Sequence, residues 1–347
     1  MTTDNGQITA IAISGGIDSL VSAYLLKKQG HKVFGIHFLT GYESGDPYQI
    51  RNIADQIGIS VKVRDCSTEF RSEVVDYFTQ TYQAGRTPNP CLVCNPSIKF
   101  GTILAAARES GASRLATGHY ARVTKDDSGR CHLLRGIDPE KDQSYFLAFL
   151  SQEQLTAACF PLGNMTKSEV RKLAAKKGLH PEVKEESQDV CFIKGCSYGE
   201  FLARHQELAP KPGPIQDVNG RILGEHKGLH LFTIGQRRGI NCPASEPYYV
   251  TRIDTEQNRL VVGFKKDLLS SECRVAGINW IARKPASPIK VHTRLRHRHK
   301  AAPSTLFPID NNLAVVRFET PQSAITPGQG AVFYRGEEVL GGGWIHA

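Results

Sequence analysis

Nowhere in its 347 residues does the chain approach the roughly 18 consecutive apolar residues that a membrane-crossing helix needs, which excludes a helical membrane span. The opening residues, Met1 to Gln7, are polar and lack the basic-then-apolar pattern of a secretory leader, so a cytoplasmic protein is expected. There is no internal repeat and no low-complexity tract. With 40% hydrophobic residues the chain also lacks the polar bias of a disordered protein. Its nine cysteines are odd in number and spread over a long chain without a leader. They read as reduced thiols rather than a disulfide framework, leaving catalysis or metal binding open to those with unusual spacing.

What the chain has in excess is positive charge, +9 from 43 Lys and Arg against 34 Asp and Glu. Such a balance favours an anionic partner, nucleic acid before membrane, because no basic amphipathic helix stands out. The excess is local. Residues Cys273 to Ile309 hold eight Lys and Arg and no acid, and the remainder of the chain is close to neutral.

Through about residue 196, apolar runs alternate with helical stretches. Ile8 to Ile13, Lys32 to Phe38, Ser60 to Val63 and Arg114 to Thr117 read as strands. Leu20 to Gln29, Tyr48 to Ile57 and Thr102 to Ser110 read as helices. That alternation predicts an α/β fold with a doubly wound parallel sheet. Beyond Cys196 the punctuation changes. Lys211-Pro-Gly-Pro214 breaks any helix, Asn219-Gly220 signals a hairpin, and Tyr248 to Ile253 and Arg259 to Val262 read as paired strands. Three domains are expected: 1–196, α/β; 197–272, small and β-rich; and 273–347, a C-terminal β-barrel-like domain.

The sharpest motif is Ser14-Gly-Gly-Ile-Asp-Ser19, set between the first strand and the first helix. Glycines allow a tight turn that brings backbone N–H groups against phosphate oxygens, and the helix N-terminus adds the positive end of its dipole. Ser14 and Ser19 offer hydroxyls, and Asp18 a carboxylate for Mg²⁺ or a water. A plain glycine-rich turn with a serine cap is the alternative. The Gly-Lys-Ser/Thr of a Walker loop is absent.

The loop resembles that of the PP-loop ATP pyrophosphatases. Further blocks extend the likeness: Gly85-Arg-Thr-Pro-Asn-Pro-Cys-Leu-Val-Cys-Asn95, Ile98-Lys-Phe-Gly101, Ala116-Thr-Gly-His-Tyr-Ala-Arg122, Lys141-Asp-Gln-Ser-Tyr-Phe-Leu147, Ser187-Gln-Asp-Val-Cys-Phe-Ile193 and Thr233-Ile-Gly-Gln-Arg-Arg-Gly239. In this order they resemble the tRNA-specific 2-thiouridylase family. The resemblance implies ATP-dependent adenylation of the wobble uridine O2 in tRNA, then replacement of that oxygen by sulfur. It implies ATP contacts at Ile13, Ser14, Gly15, Gly16, Asp18, Ser19, Phe38 and Gly118, with Mg²⁺. It makes Cys94 the nucleophile and Cys191 the persulfide carrier, and places Asn89, Pro90 and Cys91 at the target base. His119, Lys141, Asp142, Gln143, Arg296, His297 and Gln329 would contact tRNA.

The residues themselves are compatible with this chemistry. An adenylated carbonyl is a good electrophile, a thiolate or persulfide is a suitable nucleophile, and two cysteines can divide sulfur carriage from release. Where the family usually has Asp, this chain has Cys91, creating Cys91-x-x-Cys94. With Cys191 this makes three thiolates, resembling the pattern by which other PP-loop tRNA thiolation enzymes hold a [4Fe–4S] cluster with one iron open for sulfide. A redox pair or an accidental spacing are the alternatives. Cys66, Cys131, Cys159, Cys242 and Cys273 read as small buried hydrophobes, and Cys196 stays open.

In Lys290 to Lys300, the even positions Lys290, His292, Arg294, Arg296, Arg298 and Lys300 would share one face of a strand and could follow a phosphate backbone. Expected partners are therefore tRNA and a sulfur donor (a persulfide carrier, a cysteine desulfurase or sulfide), with no membrane, and the chain is read as a monomer. Two rival functions stay open. One is a PP-loop ligase or amidotransferase acting on a small molecule; the other is a non-catalytic RNA-binding relative.

Overall fold

The computed structural model describes residues 7–43, 50–182, 190–206 and 211–346. These gather into two compact units. The first comprises the described residues of Met1–Val74, Cys91–Phe192 and Glu337–Leu340; the second comprises those of Val75–Pro90, Ile193–Gly336 and Gly341–Ala347.

In the first unit, β1 (Ile8–Ala12), β2 (Lys32–Leu39), β3 (Val61–Asp65), β4 (Arg114–Ala116) and the short β7 (Ala158–Cys159) form one sheet in the order β3-β2-β1-β4-β7. Every pairing in it is parallel. The order reverses direction at β1, in the middle of the sheet, and doubly wound folds bind ligands at such a switch point, beyond the strand C-termini. β1 is buried from Thr9 to Ala12. Helix α1 (Ile17–Lys28) packs Leu20, Val21 and Leu26 onto Ile11 and Ile13, joined by Ile53 of α2 (Ile50–Ile57) and Val170. Each such aliphatic side chain is nearly or wholly shielded from water, worth about 1.5–3 kcal/mol apiece. The sequence reading placed a helix over Tyr48–Ile57; Ile50–Ile57 is helical, and Tyr48 and Gln49 lie outside the described residues.

Where the sequence predicts a helix over Thr102–Ser110, helical winding runs on from Pro90. It begins as Pro90–Cys94, widens to π-type turns over Asn95–Ile103 and ends as Leu104–Glu109. Proline suits a first helical position because its missing N–H has no partner there to lose. A hairpin of β5 (Ala121–Lys125) and β6 (Cys131–Arg135) also belongs to this unit, and Leu134 and Leu133 pair with Glu338 and Val339.

In the second unit, β8 (Gly213–Asp217), β9 (Ile222–His226), β10 (Tyr249–Asp254) and β11 (Arg259–Gly263) form a sheet in the order β10-β11-β8-β9. The Asn219-Gly220 turn falls between β8 and β9 as expected, with Gly220 at φ 87°. Ile215, Phe232, Val250, Leu260 and Val262 form its core. The C-terminal strands are β12 (Leu269–Trp280), β13 (Ile289–Arg294), β14 (Ala302–Pro308), β15 (Leu313–Ser323), β16 (Gly330–Arg335) and β17 (Glu338–His346). They run in the order β12-β15-β14-β13-β16-β17, and β12 pairs back onto β17, closing a six-stranded barrel. The expected fold, a parallel-sheet domain followed by a small β domain and a C-terminal barrel, is what the chain adopts.

Candidate active site

The loop Ser14–Ser19 leaves the C-terminal end of β1 and enters α1. Gly15 has φ 88°, a conformation costly for any residue with a Cβ. Ser19 Oγ donates to Gly16 O at 2.9 Å and accepts from Ser14 N at 3.2 Å, so the loop is tied across its own mouth. No side chain caps α1, which leaves the N–H groups of its first turn for a ligand or water. Gly118, after β4, packs against that turn so closely that an added Cβ would meet Asp18 C at 2.9 Å and Ser19 N at 3.0 Å. Ile13 is buried, and its carbonyl meets His37 Nδ1 at 2.8 Å; Phe38 is half-buried near the C-terminal end of β2.

Asp18, expected to offer its carboxylate to Mg²⁺ or a water, is engaged by protein groups. Both carboxylate oxygens accept from Lys167 Nζ at 2.8 Å, and Oδ1 also accepts from Tyr120 OH at 2.8 Å. Lys167, the first residue of the helix Lys167–Lys177, carries no local sequence signal for this role. Tyr120 lies inside the Ala116–Arg122 motif, next to His119.

Cys91 and Cys94 lie one turn apart on Pro90–Cys94. Asn95 fixes that turn, donating through Nδ2 to Cys91 O at 2.9 Å and to Phe146 O at 3.0 Å. Gln154 Nε2 donates to Pro96 O at 2.7 Å and Phe100 O at 3.1 Å, supporting the widened turns that follow. All nine cysteines are thiols. Cys91 is exposed and Cys94 half-buried, yet protein surrounds both sulfurs on most sides. That burial pushes the Cys91 thiol up to about 11, with Cys191 adding to the rise and the Lys99 ammonium opposing it. Burial likewise pushes Cys94 up to about 12, again against Lys99, with Cys191, Cys91 and Cys66 adding to the rise. Cys91, Cys94 and Cys191 therefore feel one another's charge. Cys191 itself is exposed, and Phe192 beside it packs on Phe70 and Tyr42 at ring separations of 5.7 and 5.8 Å. Ser187, Gln188 and Asp189 lie outside the described residues.

The donor set bears on the cluster reading. Among the described residues, no group of three or more His, Cys, Asp or Glu side chains is placed to hold a metal ion. Cys91, Cys94 and Cys191 do not form a ligand set for a [4Fe–4S] group in this arrangement.

Several expected RNA contacts are placed otherwise. His119 is buried at 8% exposure, with Nδ1 at 2.6 Å from Thr117 Oγ1 and Nε2 at 3.4 Å from Lys99 Nζ. An ammonium has only protons to give, so Nε2 accepts and Nδ1–H donates to the threonine. Burial, then the nearby ammonium, holds this imidazole neutral. Asp142 is buried as well and accepts from Ser144 N and Gly136 N, at 3.1 and 3.3 Å. Gln143 bonds the backbone of Tyr120 in both directions. Asp142 thus braces the chain leaving β6, and Gln143 the loop after β4; Lys141 and Gln143 are half-buried.

In the second unit, Gln329 Nε2 donates to Thr87 O at 3.1 Å and Pro88 O at 2.9 Å, so it holds the segment that leads into Asn89 and Pro90. Asn89 N donates to Tyr77 OH at 3.3 Å. The continuous basic strip does not form. β13 ends at Arg294, and residues 295–299 turn, with His299 N bonding Arg296 O at 3.0 Å. Lys290 and His292 are exposed on β13. Arg294 Nε, however, donates to His299 O at 3.1 Å, and Arg296 Nη2 reaches Ala324 O at 3.0 Å and Ser323 O at 3.4 Å. A period of two holds only while the strand lasts, and here the chain turns a corner. His297 is half-buried; Arg298 and Lys300 are exposed.

Three family profiles match successive segments of the chain. A profile described as the tRNA methyl transferase HUP domain matches residues 7–195; the tRNA methyl transferase PRC-barrel domain matches 199–264; and the aminomethyltransferase β-barrel domain matches 270–345. A relative from Desulfosudis oleivorans, named tRNA-specific 2-thiouridylase MnmA, is 53% identical over 341 residues, covering 98% of this chain and 95% of that one. The chain belongs to the tRNA-specific 2-thiouridylase family. Members of the same name from Geobacter metallireducens and Syntrophotalea carbinolica are 43% and 44% identical, covering 100% and 96% of this chain and 99% and 97% of their own. Among the described residues, no helix is long and apolar enough to cross a membrane.

Proposed function

We propose that this family member catalyses ATP-dependent 2-thiolation of the wobble uridine of tRNA. Uridine O2 attacks the α-phosphorus of ATP bound at Ser14–Ser19 with Mg²⁺, and pyrophosphate leaves. The terminal sulfur of a Cys191 persulfide then attacks C2 and displaces AMP. Cys94 attacks the Cys191 sulfur, releasing 2-thiouridine and leaving a Cys94–Cys191 disulfide for reduction. The target base must be unstacked, because O2 of a stacked base is poorly accessible. What supports the reading is that Cys94 and Cys191 belong to the same compact unit as the phosphate loop Ser14–Ser19. A ligase acting on a small molecule has no use for that pair. The high Cys94 value marks a resting thiol; Lys99 is the cation on hand to stabilise its thiolate.

Supporting this reading, the curated relatives are named for thiolation, although the domain profiles carry names of methyl and aminomethyl transfer. Mass spectrometry of tRNA nucleosides made with purified chain, ATP, tRNA and a persulfide donor tests it. Formation of 2-thiouridine that is lost in Cys94→Ser and Cys191→Ser is expected. Methylated uridine, or a thiolated product in Cys191→Ser, would refute it. Anaerobic iron and sulfide analysis of the active chain tests the cluster route separately.

A further inference from the structure

The loop Ser14–Ser19 has the wrong charge for its task. It contains no Lys or Arg, and its one ionisable side chain is the Asp18 carboxylate. A polyphosphate drawn to this turn meets helix-dipole attraction and carboxylate repulsion together. The compensating cation comes from 149 residues along the chain, where Lys167 Nζ meets both Asp18 oxygens at 2.8 Å. Its backbone is pinned first. Thr166 and Glu169 form a reciprocal cap at the start of Lys167–Lys177, and Lys167 N donates to Asp138 Oδ2 at 2.9 Å. The side chain is then aimed inward, with 8% of its surface exposed against 32% for Asp18. The carboxylate is the solvent-facing end of the pair and the ammonium lies behind it. Tyr120 OH, donating to Oδ1, holds the carboxylate in that orientation.

We propose that Lys167 is the phosphate-neutralising residue of the nucleotide loop. Asp18 holds it in the absence of nucleotide, and it passes to the ATP phosphates when Mg²⁺ takes its place on the carboxylate. This deepens the function proposed above and rests on Ser14–Ser19 being an ATP loop. The exchange balances charge. Asp18 trades one cation for another, and the ammonium trades a carboxylate for a phosphate oxygen, so neither is left buried and unpaired. It makes Lys167 a ligand-contacting residue delivered from a distant helix, the role that a Walker loop gives to a lysine within the loop.

A purely structural ion pair and a nucleotide-binding pair differ in sign. Equilibrium dialysis of ATP, with EDTA and with Mg²⁺, is measured on the wild type, Lys167→Met, Lys167→Arg and Asp18→Asn, alongside thermal melting. Lys167→Met is expected to weaken ATP about tenfold or more under both conditions, since a charge-assisted phosphate contact is lost. Asp18→Asn should do the opposite in EDTA, tightening ATP by removing the repulsive charge, while shrinking the gain that Mg²⁺ confers. Lys167→Arg should retain most of the affinity. Variants that melt earlier but bind ATP within about twofold of wild type would overturn the proposal, leaving the pair a structural one. If Lys167→Met does not fold, Asp18→Asn still decides, because weaker or unchanged binding in EDTA overturns it. A wild-type chain that binds no ATP refutes the ATP loop itself; a wild-type chain that binds ATP alongside an unaffected Lys167→Met refutes only the role of Lys167.

Discussion

Adding one methyl group at Gly118 should damage both stability and nucleotide binding, and the reason is geometric. The Cβ of Gly118→Ala would lie 2.9 Å from Asp18 C, 3.0 Å from Asp18 Cβ and 3.0 Å from Ser19 N. These are backbone and near-backbone atoms of the first turn of α1, with no flexible side chain to swing aside. Either that turn or the end of β4 must move by several tenths of an ångström. The turn cannot move freely, because Asp18 is tied at 2.8 Å to Lys167 and to Tyr120. Overpacking of this kind costs about 1–3 kcal/mol. For a cooperative unit of this size that is about 2–4 °C per kcal/mol, or roughly 2–12 °C in melting temperature. Gly16→Ala provides the contrast. Its Cβ would meet only Ser14 Oγ, at 3.7 Å, and its backbone, φ −84° and ψ 160°, suits any residue. That substitution should leave the melting temperature nearly unchanged while crowding the space a phosphate needs. Melting curves and ATP titrations on both variants check the pair. A Gly118→Ala chain as stable as wild type, or a Gly16→Ala chain that melts first, would refute the reasoning.

Hydrogen bonds from His132 to Glu338, then to Asp126, raise the imidazole above its usual value. Its stabilisation is therefore complete below about pH 6.5, the unfolded value, and disappears as pH rises through the higher folded value. Melting temperatures from pH 5.5 to 9 should show a drop that His132→Asn lacks; parallel curves would count against it. Lys99→Met removes the cation opposing the high values of Cys91 and Cys94, so alkylation of both by iodoacetamide at pH 8–10 should slow, as peptide mapping would show. Gln329→Ala loses two bonds to Thr87 and Pro88, each worth about 0.5–1.5 kcal/mol, and should speed hydrogen exchange near residues 86–89. A Gln329→Ala chain with slower thiolation and unchanged exchange would instead make Gln329 a direct RNA contact. Arg296→Ala should lower stability through the lost bonds to Ser323 and Ala324, whereas exposed Arg298→Ala should spare stability and reduce the salt slope of tRNA binding by about one.

These tests fall along a line dividing what the sequence makes legible from what it conceals. The four parallel strands and the first helix of the first 120 residues could be read because apolar runs and glycine turns are local signals, whereas the helical stretches over Ser67–Gln83 and from Pro90 could not. The phosphate loop could be read for the same reason, since six contiguous residues do one task. Lys167 could not, because its partner lies 149 residues away and a lysine at a helix start is common. Asp142, Gln143 and Gln329 show what a sequence block hides in the other direction. Polar residues there look like ligand contacts, and the structure adds bonds from each to the backbone of nearby segments. The basic run failed at a different level. The charges were correctly seen, but a two-residue period presumes a continuous strand, and nothing in Leu295 to His299 announces the corner. The turn changes the physics of the patch. A strand would present evenly spaced cations to one phosphate track. A corner commits Arg294 and Arg296 to carbonyl oxygens and leaves Lys290, His292, Arg298 and Lys300 exposed on either side of it. An RNA gripping this region would therefore be held at separated points, which suits a folded RNA surface better than a straight backbone segment.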